Sequence, residues 1–106
     1  MVAEVLNPEK VTYKMKKYNY LLEEEEFDVY ANVDIISNGT TKLGLFSTQK
    51  KAIKFILDKM NNSGYKNNDG SKFVMTLDKF GRKERDNELI LGFSLREFKI
   101  TKMLLQ

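Results

Sequence analysis

The sequence predicts an α+β fold: an antiparallel β-sheet of about five strands, in chain order β-β-β-α-β-β, with one amphipathic helix packed on one face. Three observations carry this expectation. Residues 48–62 hold a helical apolar stripe, residues 27–35 alternate strictly between apolar and polar, and the connections between segments are mostly short. Short connections favour antiparallel pairing, because a parallel crossover needs a dozen residues or more.

The helix is marked at both ends. Ser47 or Thr48 offers a hydroxyl to an unpaired amide of the first turn. Ala52, Ile53, Ile56, Leu57 and Met60 recur on one side, Phe55 borders them, and Lys50, Lys51, Lys54, Asp58 and Lys59 take the rest. Asn61, Asn62 and Ser63 are poor helix formers, and Gly64 suits a left-handed closing position. Burying Ile53, Ile56, Leu57 and Met60 is worth roughly 1.5–3 kcal/mol each before entropy is subtracted.

Ahead of the helix, Phe27, Val29, Ala31, Val33 and Ile35 alternate with polar neighbours, the pattern of a sheet buried on one face. Ser37-Asn38-Gly39 then predicts a three-residue turn, with Gly39 as the left-handed residue of a G1 bulge. That register pairs Val33 with Leu43 and Ala31 with Leu45, keeping both leucines on the apolar side. Residues 1–10 read as a loose lead-in to a single domain spanning 1–106. Val11, Tyr13 and Met15 begin a strand whose phase shifts near Lys16-Lys17, so that Tyr18, Tyr20 and Leu22 continue it. Glu23-Glu24-Glu25-Glu26 is expected to be a hairpin connection with its like charges in solvent.

Beyond the helix, residues 61–71 hold four asparagines, two glycines and an aspartate, and so read as a loop. Phe73, Met75 and Leu77 predict a fourth strand running to about Phe80. Residues 81–87 form a charge-dense hairpin tip, and a bulged last strand runs from Glu88 to about Ile100. Ser94-Leu95-Arg96-Glu97 also fits a capping box. The apolar residues that follow it scatter around a helical wheel, which favours the strand.

Composition narrows the function classes. At 106 residues the chain is long enough for one core without staples. It has no cysteine and no histidine, which removes disulfides, thiolate metal centres, the commonest general base and the commonest metal ligand. MVAEVLNPEK has neither a basic start nor a long apolar run, so no signal peptide or membrane span is expected, and the cytoplasm is the expected compartment. The 15 lysines, 3 arginines and nine asparagines are what an AT-rich coding sequence produces, as in low-GC bacteria and their phages.

Two sets of residues qualify as contact sites. Glu23, Glu24, Glu25, Glu26 and Asp28 place five carboxylates in six residues. They suit a basic protein, a divalent cation, or imitation of a phosphate backbone that blocks a nucleic-acid-binding partner; a solvated acidic turn is the simpler explanation and the one the run favours. An EF-hand needs spaced ligands and a glycine, which this run lacks. The second set is basic. Lys50, Lys51 and Lys54 on the helix, with Lys14, Lys16, Lys17, Tyr18 and Tyr20, mix cations with aromatic faces as single-stranded nucleic-acid platforms do. The same residues also read as a wet helix face and half-buried strand tyrosines. No phosphate loop, nucleophile elbow or metal-ligand set is present. The expectation is therefore a non-enzymatic, cofactor-free protein-binding module, such as a phage or mobile-element accessory inhibitor. A weak nucleic-acid binder is the alternative.

Overall fold

The computed structural model describes residues 17–30 and 34–105. It shows strands β1 (Tyr18–Tyr30) and β2 (Asp34–Phe46), helix α1 (Gln49–Asn61), a 3-10 turn at Leu77–Lys79, and strands β3 (Gly81–Arg85), β4 (Glu88–Phe93) and β5 (Arg96–Leu104). The five strands form one antiparallel sheet in the order β2-β1-β5-β4-β3. The α+β architecture matches the expectation, but the chain order differs: two described strands precede the helix and three follow it. The lead-in at 1–10, the strand begun at Val11, Tyr13 and Met15, and the expected partners Ala31 and Val33 lie outside the described residues.

Residues of one sheet face alternate along each strand. Leu22, Leu89, Leu91, Phe98 and Ile100 point to the same side and are fully buried beneath Ala52, Ile56 and Met60 of α1. Phe80 and Met75 complete that core. Ile53 and Leu57, on the same expected stripe, are only half-buried, and Phe55 is exposed against Phe46 at a ring separation of 5.4 Å. The helix ends follow the sequence. Thr48 Oγ1 accepts a hydrogen bond from Lys51 N at 3.1 Å, Asn62 N donates back to Asp58 O at 3.0 Å, and Gly64 is left-handed at φ 85°.

The expected hairpin register is overturned. Glu23–Glu26 is not a connection but the middle of β1, held by β5 on one side and β2 on the other. Alternation sends successive glutamates to opposite faces, so four like charges in a row need not share one solvent pocket. Ser37-Asn38-Gly39 lies within β2, whose pairing with β1 continues past it to Tyr30 with Asp34. Leu45 pairs with Leu21, and Leu43 sits at the first of two register shifts in β2. Gly39 is left-handed at φ 109° beside the second shift, so its bulge role holds although the turn does not.

Two later elements also differ. Residues 73–77 alternate in burial as expected, yet they form no strand. Asn61 stands in for a neighbouring strand there: its Oδ1 accepts from Met75 N at 2.6 Å and its Nδ2 donates to Met75 O at 3.3 Å. The alternation reports an extended segment buried on one side, which is not the same as sheet pairing. The charged tip shrinks to Asp86-Asn87, because Gly81–Arg85 pairs with β4. The expected bulged strand over 88–100 is instead a hairpin. Phe93 pairs with Arg96 across Ser94-Leu95, with Ser94 at φ 57°. A positive φ at the first loop residue is the mark of a type II′ turn.

Candidate functional site

The five carboxylates that stand out in the sequence have three different fates. Glu24 is 5 % exposed and faces the helix side, with Oε2 2.8 Å from Arg96 Nε and Oε1 3.6 Å from Lys59 Nζ. The Arg96 N–H is not aimed at Oε2, so this contact is an ion pair without an aligned hydrogen bond. Arg96 also reaches Glu26 at 3.5 Å and donates to Met60 Sδ at 3.5 Å. Glu24 therefore joins three elements of the fold and is not available to a partner. Glu23 and Glu25 lie on the opposite face, where Lys99 Nζ sits 3.9 Å from Glu23 and 3.8 Å from Glu88. Split between two faces, Glu23–Glu26 cannot converge on one cation.

Asp28 belongs to a different feature. β5 stops pairing with β1 at Glu26, and Phe27 N donates to the Leu95 carbonyl at 2.8 Å as the last bond to the body of the sheet. From there β1 and β2 pair only with each other, Phe27 with Ser37 through Tyr30 with Asp34. The pair forms a projecting two-stranded arm. One face is apolar, with Val29 paired against Ile35, while on the other Tyr30 and Ile36 sit beside Asp34 and Asp28. Tyr30 and Ile35 are each 67 % exposed, Val29 47 % and Ile36 46 %. Apolar side chains this exposed on a two-stranded ribbon mark a contact surface, and no cover for them is present among the described residues. The arm's charges are Asp28 and Asp34, and Asp28 Oδ2 accepts from Asn38 Nδ2 at 2.7 Å.

The arm was not anticipated from the sequence, though one signal for it is legible there. From Tyr18 to Thr41 the chain carries six carboxylates and no lysine or arginine. The chain as a whole is +3, so charge is divided between an acidic hairpin and a basic remainder.

The basic candidates are less unified. Lys14 and Lys16 lie outside the described residues. Lys17 sits at the far end of the sheet, its carbonyl accepting from Leu105 N at 2.9 Å. Tyr20 and Gln49, in the first turn of α1, line one hollow, so the two halves of this set do approach each other. Tyr20 packs against the core, however, and the Tyr18 ring is covered by Lys102 Nζ at 4.2 Å. Glu84, Asp86 and Glu88 line the same hollow and outnumber its cations, Arg85 and Lys102. On the helix, Lys54 is paired with Asp58 at 2.8 Å and Lys51 donates to Ser47 Oγ at 3.1 Å. Stacking faces already in use, with carboxylates beside them, suit a nucleic acid poorly.

No helix among the described residues is long and apolar enough to cross a membrane. Compared with known proteins, the chain matches no family model, no curated protein and no solved structure.

Proposed function

We propose that this protein is a binding module for another protein and that the β1–β2 arm is its contact element. One observation carries the reading: Val29, Tyr30, Ile35 and Ile36 stand exposed on an arm whose only charges are carboxylates. Apolar burial supplies the affinity, and the carboxylates select a cleft with a basic rim while repelling phosphate backbones. Within the acidic set, Asp28 is the contact residue on the arm, while Glu24 and Glu26 hold its root through Arg96. An inhibitor that blocks a basic nucleic-acid-binding surface, such as a phage or mobile element would encode, is one form of this activity.

The test compares the wild type with an arm variant, Tyr30→Ser with Ile35→Ser and Ile36→Ser, in crosslinked captures from a bacterial lysate. Partners lost by the variant at an unchanged melting temperature support the reading. Identical captures would overturn it, as would salt-sensitive binding of DNA or RNA oligomers that ignores the arm and is abolished by Lys50→Glu with Lys54→Glu.

A further inference from the structure

A second surface lies along the helix, where the half-buried side of α1 meets the segment at Met75–Leu77. Ile53, Leu57, Met75 and Leu77 form the apolar floor of an open trough of about 840 Å³. It follows the helix from Thr48 to Asn61, a length of about 20 Å at 1.5 Å per residue. Lys50 and Lys51 stand along it, and Lys54 and Asp58 on the same rim are paired with each other at 2.8 Å.

We propose that this trough binds a short amphipathic helix of a partner protein, one whose apolar stripe is flanked by carboxylates. The charge preference follows from the lysines on its rim. The conformation follows from the backbone. One wall is a helix, whose amides and carbonyls are bonded to one another. The other offers Met75, whose N–H and carbonyl are both taken by Asn61, and Thr76 and Leu77, whose carbonyls accept from Lys79 N and Phe80 N. An extended peptide would lose water from its own backbone and find little here to replace it, whereas a helix arrives with those bonds made. A second copy of α1 is excluded as occupant by its own lysines.

The probe is a panel of fluorescein-labelled 15-residue peptides with Leu at i, i+3, i+4 and i+7. One set is flanked by Glu, a second by Lys, and a third has the Glu set scrambled to destroy the stripe. Anisotropy is read against the full-length protein, and amide shifts locate the bound peptide. Binding of the Glu set at least tenfold tighter than both others, with shifts centred on Ile53, Leu57 and Leu77, supports the proposal. Lys50→Glu with Lys51→Glu, both exposed side chains, must reverse the preference between Glu and Lys flanks. The arm variant described above must bind the Glu set unchanged, which separates this site from the proposed arm function. Equal affinity for both flanks overturns the proposal, as do shifts confined to the arm, no binding by the Glu set, or displacement of the peptide by laurate or a DNA oligomer. Concentration-dependent dimerisation in sedimentation that competes with the peptide would assign the trough to a second copy's acidic arm and also overturn it.

Discussion

Glu24 Oε2 lies 2.8 Å from Arg96 Nε, with the carboxylate 5 % exposed beneath the helix. The pair links β1 to the first residue of β5, and Lys59 brings α1 to the same carboxylate. Removing Arg96 leaves the buried carboxylate with Lys59 alone, at 3.6 Å, which costs more than the intact pair contributes. Arg96→Met is expected to destabilise the fold by about 3 kcal/mol in urea unfolding, and Glu24→Leu by less, because Arg96 keeps Glu26 at 3.5 Å. The double variant should lose well under the sum of the two single losses. Additive losses would show that the contact carries no coupling.

Burial along α1 separates two neighbouring isoleucines. Ile56 is fully buried and Ile53 only half so. Ile56→Ala should cost about 3 kcal/mol, and Ile53→Ala markedly less. Ile56→Asp should abolish the cooperative melt. An unchanged melt in Ile56→Asp would contradict the packing of this helix on the sheet.

Ser94 holds φ 57° in the two-residue loop between β4 and β5. A left-handed conformation costs an L-residue about 1–2 kcal/mol, and glycine is the usual occupant of this II′ position. Ser94→Gly is expected to raise stability by about 0.5–1 kcal/mol in thermal denaturation, and Ser94→Val to lower it. A drop in melting temperature for the glycine variant would mean that the hydroxyl has a role outside the turn.

Two exposed aspartates titrate low. Hydrogen bonds from the Ser71 hydroxyl and amide hold Asp69 below its ordinary value, and a hydrogen bond from the Thr76 hydroxyl does the same for Asp78. Because the native value is depressed, each contribution is complete above the ordinary carboxylate value of about 3.9. It is lost as pH falls through the lowered native value. A carboxyl NMR titration should place both midpoints below those of free aspartate. Ser71→Ala should raise that of Asp69 alone.

The helix was legible in the sequence because its information is local. Thr48, the stripe from Ala52 to Met60, and Gly64 each act within a few residues of their own position, through capping, periodicity and backbone conformation. The α+β class follows from the same periodicities, and so does the one-sided burial of Phe73, Met75 and Leu77. Gly39 was legible as a left-handed bulge residue for the same reason.

Only the tertiary structure decided where the chain turns and which segments pair. Seen from the sequence alone, Glu23–Glu26 resembles a solvated loop. What keeps the run in a strand is Arg96, Lys59 and Lys99, which come from a distant strand and from the helix. Asn38-Gly39 carries a turn signature, yet the pairing of Glu25 with Thr40 and of Phe27 with Ser37 absorbs it as a bulge. The arm and the trough depend on the same long-range choices: where β5 stops, and which half of an apolar stripe the sheet leaves uncovered. Periodicity within a segment reports that one side is buried, but the identity of the group that buries it is set by contacts across the fold.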